Sequence, residues 1–391
     1  MAVVQPIITL VLFVLILGVL VIVHELGHFI VARLARVRVL EFGIGFPPRA
    51  RVLRDQGETV YTLNWLPIGG FVKLEGEDGG DVDDPRSFGA KPLLTRLIIL
   101  VAGVAMNLAL AFAIFAGIAL RGDPTIGVVA GVIEPGSPAE VAGLRPGDVI
   151  ESVDGRYFGA FGPTSLLEEL REKAGQTVVL GVRRSNGDLE RLTATLRPRA
   201  EVTVQKGALG IGQLSGRTTD VLQHYPFDDA IQLGVDRTLG ATRLILDGLG
   251  DLVSAIVNRP TEPPPAAGPV GIAIQIGDVF WTLGPTVTLF LAGVLSANLA
   301  VINILPFPPL DGGRMLVIVL KSVFGSRISL RAERLTYLVG FAFLFAFLIW
   351  VTGFDILRSL GFVPGASAGR RSASTSAACP WAAAIRSSSS R

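Results

Sequence analysis

The chain has 391 residues, 50% of them hydrophobic and 17% charged, and its mean hydropathy of +0.55 is too apolar for an ordinary soluble protein. The net charge of +2 carries no signature of a nucleic-acid binder, and no nucleic-acid partner is expected. The lone cysteine, Cys379, excludes an intrachain disulfide and a cysteine-based metal site.

Four stretches, at about 7–31, 97–120, 285–305 and 335–351, approach or exceed the roughly 20 apolar residues that a helix needs to cross a bilayer. The first has no basic leader and no A-x-A-like cleavage site, so it reads as a retained span rather than a signal peptide. The segment after it, 33–96, is polar. Within it Tyr61, Leu63 and Trp65 alternate with polar residues, and Gly69–Gly70 precedes Phe71, Val72 and Leu74, which predicts a β-hairpin or a looped strand pair.

The segment 123–216 is the only one large enough for a soluble domain. A β-branched strand, "TIGVVAGVI", is followed by a short helix with Ser137 as N-cap and Pro138 at its first position. "GDVIESVDG" predicts a further strand and turn, and "QTVVLGVRRSNGDLERLTATL" a hairpin about Asn186–Gly187. From Phe227 to about Val257, Ile231, Val235, Leu239, Leu246, Leu249, Val253 and Ile256 recur at helical spacing. That pattern predicts an amphipathic helix on the membrane or against the bundle, with packing on the soluble domain as the alternative. "NRPTEPPPAAGP" is a proline-rich connector. The tail, 364–391, is rich in Ser, Ala and Arg without periodicity and is expected to be disordered.

Four spans put the ends of spans one and three on one face of the membrane. Basic residues in the first connecting loop, with Arg314, Lys321, Arg327, Arg331 and Arg334, mark that face as cytoplasmic. Arg370, Arg371, Arg386 and Arg391 in the tail run against the trend.

The chemistry concentrates at "VIVHELGHFI". His24, Glu25 and His28 form H-E-x-x-H, which in a helix sets two imidazoles one turn apart on one face. Glu25 is adjacent, suited to take a proton from a water that a bound ion activates. By chance this pattern turns up in soluble helices, but it is out of place in an otherwise uncharged span. Catalytic zinc takes three protein ligands. Of the three histidines, His224 follows the soluble domain, so the better third ligand is Asp311 in "NILPFPPLDGG". Asp311 follows span three on the face that His24 and His28 reach, and a carboxylate so near hydrocarbon is costly unless a cation compensates it. The three prolines before it cannot continue an ordinary helix.

With "HELGH" and "NILPFPPLDGG", the sequence also carries "GPVGI" at 268–272, "PIGGFVKLEGED" at 67–78 and "AGVAMNLALA" at 102–111. On these motifs, which span roughly residues 7–355, it resembles the site-2 protease family of intramembrane zinc metalloproteases, in particular bacterial members with a PDZ domain that regulate sigma factors. The fold so implied is a polytopic α-helical membrane protein of about four transmembrane helices, with an inserted α+β PDZ-like domain and a membrane-associated β-hairpin at 62–74. Its parts would be a first membrane half at 1–122, the PDZ-like domain at 123–216, helix and connector at 217–268, a second membrane half at 269–363 and the tail.

The resemblance implies Zn2+ held by His24, His28 and Asp311, with Glu25 as general base. Asn298 and Asn303 match family asparagines near the active site, suited to hydrogen-bond substrate backbone or oxyanion, against the alternative of holding helices together. Asn107 reads as a packing residue. Gly69, Gly70 and Phe71 lie in the hairpin whose free edge is expected to capture extended substrate by strand addition. The PDZ-like domain is expected to filter substrates, with "TIGVVAGVI" as its peptide-binding edge. Expected partners are transmembrane proteins such as anti-sigma factors, and membrane lipid. The site would face the cytoplasm and the PDZ-like domain the outside of the inner membrane. A catalytically silent PDZ receptor or a metal transporter are the other readings. An intact Glu25 argues against the first, and the lack of internal repeats against the second.

Overall fold

The computed structural model describes residues 4–55, 57–77, 84–161, 165–203, 206–259, 263–325 and 330–362. The tail expected to be disordered, with Cys379, lies outside the described residues. Among the described residues, four helices are long and apolar enough to cross a membrane: α1 (Val4–Leu34), α2 (Leu93–Arg121), α7 (Pro285–Ile304) and the Glu333–Ser359 part of α9 (Leu330–Ser359). They coincide with the four expected stretches. Two shorter helices complete this half, α6 (Pro269–Leu283) and α8 (Asp311–Phe324). The sequence places 269–283 in the second membrane half but does not by itself mark it as a separate helix.

"GPVGI" has a local explanation. Asp355 of α9 is buried and accepts the backbone N–H groups of Gly268 (3.2 Å) and Gly271 (2.8 Å) at the head of α6. A Cβ at either glycine would stand 2.8 Å from an Asp355 oxygen. The carboxylate satisfies amides that a helix start leaves without partners, and it complements the positive end of the helix dipole.

The polar segment after α1 forms β1 (Val39–Arg54) and β2 (Val60–Leu74), paired antiparallel. The register corrects the expected pairing within 61–74. Phe42 faces Tyr61 on one side and Val72 on the other, while Arg51 faces Leu63. Each strand therefore bends into two limbs, and their order across the sheet is 49–54, 60–66, 39–46, 70–74. The limbs 60–66 and 70–74 both pair with 39–46, not with each other. Buried Glu41 accepts from Thr62 Oγ1 (2.8 Å) and Arg49 Nε (3.0 Å), so the fold-back is fastened internally. Burial pushes the Glu41 carboxyl up, but the bonds from Arg49 and Thr62 outweigh this and hold it below the usual range.

The region after α2 is rich in sheet. A six-stranded sheet has the order β10 (Ser215–Gln223), β3 (Asp123–Val129), β5 (Val149–Val153), β7 (Thr177–Arg183), β8 (Leu189–Thr195), with β6 (Arg156–Tyr157) beside β5. Strands β4 (Val132–Ile133) and β9 (Ile211–Gly212) pair separately, and α3 (Pro138–Val141) and α4 (Leu166–Glu172) lie between the strands in sequence. Along β7 the side chains of Val178, Leu180 and Val182 are buried and join Ile150, Leu166 and Leu196 in one core, the two-residue period of a strand with one wet face. Ser137 caps α3, accepting the Glu140 N–H at 3.3 Å, and β7 and β8 form the hairpin expected around Asn186–Gly187. Two expectations change. Strand β3, the first part of "TIGVVAGVI", lies between β10 and β5 and is no edge. Strand β10 continues pairing to Gln223, beyond the expected limit at 216.

The predicted amphipathic helix is α5 (Phe227–Asn258), packed on α2 and α7. Its buried face is made of small residues, Ala230, Gly234, Thr238, Gly240 and Ala241, while Val235, Leu239, Leu246, Val253 and Ile256 point outward. Small residues let the α5 backbone approach α2 and α7 closely, and the large ones stay on the exposed face.

Arg237 sits on that buried face as well, with both Nη atoms on the Asp123 carboxylate at the start of β3. Burial and the Asp123 charge push the neighbouring Tyr225 phenol up to about 12. The guanidinium also lies 5.5 Å from the Phe161 ring and 5.9 Å from Phe290. Phe161 comes from the sheet-rich region and Phe290 from α7, and the two rings stack at 3.8 Å with 5° between planes. Backbone bonds from Ala160 N to Pro124 O and from Ile126 N to Phe158 O fix the loop that carries Phe161. The region is thus plugged into the helix bundle beside Phe115. Phe161→Ala is expected to cost about 3–5 kcal/mol, the usual range for emptying a buried aromatic site. Thermal unfolding in detergent should show a lowered midpoint, and an unchanged midpoint would mean that the plug carries no stability.

Candidate metal centre

Near its C-terminal end α1 runs against α2. At Gly27 a Cβ would lie inside the backbone of Ala102, with the Ala102 carbonyl carbon 2.8 Å away. At Gly103 a Cβ would stand 2.5 Å from His28 Nε2 and 2.7 Å from His24 Cε1. Both glycines are needed because backbone and imidazole occupy the space where side chains would start. His24 and His28 are both buried, one turn apart on α1. Their rings meet edge to face, with centroids 4.8 Å apart.

Asp311 reaches the same point from the other half of the chain. Helix α7 ends at Ile304 and α8 starts at Asp311, across the proline-rich break expected from the sequence. A Cβ on Gly312 or Gly313 would collide with backbone at 304–308, so the turn closes only with glycines there. Asp311 stands in the first turn of α8, where a helix favours negative charge. Its Oδ2 is 3.0 Å from His24 Nε2 and 3.3 Å from His28 Nε2, and the two Nε2 atoms are 3.1 Å apart.

These three atoms fit a zinc ion on two grounds. Zinc bonds of about 2.0–2.1 Å in tetrahedral geometry set ligand atoms about 3.4 Å apart, close to the separations found. The outer nitrogens also direct the inner ones. His28 Nδ1 is 2.8 Å from the carbonyl oxygen of Ile99, so Nδ1 carries the proton and Nε2 presents a lone pair. His24 Nδ1 lies 3.2 Å from the Asn107 side-chain amide, whose Oδ1 is otherwise a buried acceptor without a partner. With that amide turned so that Oδ1 accepts from Nδ1–H, both atoms are satisfied and His24 Nε2 is free as well. Two lone pairs 3.1 Å apart repel each other unless a cation lies between them.

Asn107, read from the sequence as packing, therefore orients His24, and Ser296 Oγ of α7 bonds its backbone carbonyl at 2.8 Å. Gly103 and Asn107 both lie in "AGVAMN", where a glycine and an amide four residues apart in an apolar helix were the available signal. Asn303 Nδ2 comes within 3.3 Å of His24 Nε2. Asn298 does not share that direction: five residues along a helix is about 140° of rotation, whereas Ser296 and Asn303, seven apart, face the same way. Gly70 passes close to Glu25, since a Cβ there would be 3.4 Å from Glu25 Cγ, and the Val72 amide interacts with the Glu25 carboxylate. Gly69 has φ +91° and packs on the Phe46 ring, while the Phe71 ring covers Gly43 within the sheet. His224 is remote. It lies against Gly122, which the rise of α2 puts about 28 Å from Gly103.

Among the described residues this trio is the one group of three or more His, Cys, Asp or Glu side chains placed to hold a metal. The model of peptidase family M50 matches residues 12–347 of the chain. A candidate zinc metalloprotease of Clostridium perfringens is 34% identical over 340 residues, covering 86% of this chain and 95% of its own. The zinc metalloprotease RasP of Geobacillus kaustophilus is 28% identical, covering 88% and 97%, and the regulator of sigma-W protease RasP of Bacillus subtilis is 28% identical, covering 90% and 98%. A helix bundle with a convergent His–His–Asp set, matched over most of its length by zinc metalloproteases, identifies this multi-pass membrane protein as a member of peptidase family M50, the site-2 protease family of zinc endopeptidases.

Proposed function

We propose that this chain hydrolyses peptide bonds within the transmembrane segments of other membrane proteins, with His24, His28 and Asp311 as the zinc ligands and Glu25 as the general base. The observation that carries this reading is the convergence of the three ligand atoms beside Glu25 at the end of a membrane helix. Zinc supplies an activated water at neutral pH and a Lewis acid for the scissile carbonyl. Glu25 takes the proton of the attacking water and passes it to the departing amide nitrogen. The Asn303 amide, which faces the ligand atoms, hydrogen-bonds the oxygen on which negative charge develops.

A peptide bond inside a helix has its polar groups already paired, so the substrate must unwind locally to be cut. The limb 70–74 is the sheet edge beside Glu25 and offers backbone partners to an extended substrate. Gly70, with no side chain, lets that substrate approach. The name of the Bacillus subtilis relative ties it to sigma-W, which supports an anti-sigma factor as the substrate class here. The sheet-rich region at 123–223 is read as a PDZ-like domain on the outer face of an inner membrane. There it excludes substrates that still carry a folded outer part.

The chemistry is tested by two substitutions. Glu25→Gln is expected to lower cleavage by about 10²–10⁴-fold, the usual contribution of a general base, while zinc stays bound. Asp311→Asn should instead lower the zinc content, because a neutral amide is a poorer ligand. Full turnover by the first variant would remove Glu25 from its role, and stoichiometric zinc without cleavage by the wild-type chain would favour a silent receptor.

Orientation is tested by single cysteines in a Cys379→Ser background. Gly80→Cys should be labelled from the cytoplasm and Asn186→Cys from outside, and the reverse pattern would invert the proposed topology.

The filter is tested on the intact protein with paired substrates. A span carrying a folded outer domain should be cut far more slowly than the same span trimmed, and equal rates would refute exclusion.

A further inference from the structure

The described site leaves one charged pair without a role. Arg314 lies three residues after Asp311 on α8 and forms an ion pair with Glu77, just beyond the end of β2. The two side chains are 29% and 14% exposed. Arg314 also faces Asp311 and Tyr337 of α9. Glu77 accepts the backbone N–H of Leu74 at 3.1 Å, so its carboxylate holds the last residue of the limb 70–74 as well as the guanidinium. Two residues earlier on that limb, the Val72 amide meets Glu25.

These contacts close a ring around the metal centre. From Asp311 the path runs along the first turn of α8 to Arg314, across to Glu77, back to Leu74, along the limb to Val72, and so to Glu25. Glu25 is bonded in sequence to His24, whose Nε2 is 3.0 Å from Asp311. The remaining links are the first turn of α8, the Arg314–Glu77 ion pair, the Glu77–Leu74 hydrogen bond, the chain of the limb and the approach of the Val72 amide to Glu25. The Arg314–Glu77 pair is the side-chain link that ties α8 to the sheet edge. Glu77 is also within electrostatic reach of Glu25, so Arg314 balances an acidic group that would otherwise crowd the base. The pair is largely shielded from solvent, so its attraction is less screened than that of a surface pair.

We propose that Arg314 and Glu77 form a positioning pair that fixes the limb 70–74 relative to Asp311, so that a substrate paired along this limb presents its scissile carbonyl to the zinc in register. The inference rests on the zinc-protease reading. Neither residue touches substrate or ligates the metal. Both act through the spacing of the two elements that do.

The test is a double-substitution cycle in the full chain, with Glu77→Gln, Arg314→Gln and both together. Zinc per chain, kcat and KM on a transmembrane substrate, and tryptic cutting at Lys73 are measured. Each single change is expected to lower kcat by about 10–100-fold, the scale set by an ångström of misplacement. Zinc should stay near the wild-type content and KM should change far less than kcat. Lys73, on the loosened limb, should be cut faster. The double variant should be no worse than the worse single one, and Arg314→Lys, which keeps the charge, should recover most of the lost kcat. Additive losses in the cycle, or zinc lost in proportion to kcat, would overturn the proposal in favour of separate or merely structural roles. A wild-type chain that neither retains zinc nor cleaves would end the protease reading itself. Wild-type activity abolished by Glu25→Gln but indifferent to the cycle would end only the positioning pair.

Discussion

The candidate metal centre depends on two long apolar helices touching backbone to backbone. Where α1 crosses α2, Gly27 faces Ala102 and Gly103 faces both imidazoles, leaving no room for a Cβ on either glycine. The contact brings the Ile99 carbonyl and the Asn107 amide within hydrogen-bonding range of the outer nitrogens of His28 and His24. These outer contacts decide which nitrogen of each ring carries its proton, and so whether the inner nitrogens can act as ligands. These side chains are buried, so a polar group here is paired by protein or is costly. A methyl group at position 103 would separate the helices and the chemistry together.

The second half of the chain meets this contact by a different device. An unbroken helix after Ile304 would carry Asp311 onward along the α7 axis. The prolines end the helix, and the paired glycines let α8 start tight against the backbone it has just left. The carboxylate then occupies the first turn of a new helix, where the dipole favours it. Gly340 of α9 presses on Pro308 from behind, its would-be Cβ 2.7 Å from the Pro308 carbonyl carbon. The last span thus backs the turn from which Asp311 projects, though none of the three candidate ligands lies on it.

What was legible in the sequence was what local chemistry dictates. Ionisable residues in an uncharged span, helical spacing of two histidines and a proline-glycine break are all visible without a fold. The four spans follow from length and hydropathy alone, and the Ser137 cap and the Asn186–Gly187 turn from residue type. The misses are long-range. Whether 61–66 pairs with 70–74 or with 39–46 depends on partners that a local alternation does not name. Strand β3 reads the same at an edge or in the middle of a sheet. In α5 the apolar period is present, but the small residues between pack on α2 and α7 while the large ones point outward, which spacing alone does not reveal. Asn107 and Asn303 lie beside His24 and Asn298 does not, and only the relative rotation of three helices separates them.

Phe161 has a consequence for how such proteins change over evolutionary time. Its loop belongs to the sheet-rich insertion, but its ring is stacked on Phe290 of α7 beneath the Arg237 guanidinium. The insertion is therefore not an independent cassette on two flexible tethers. An exchange of this region between relatives must carry the aromatic plug, its socket on α2 and α7, and the Asp123–Arg237 lock as one heritable unit. A change of size at 161 must then be accommodated at 290, although 129 positions of chain separate them.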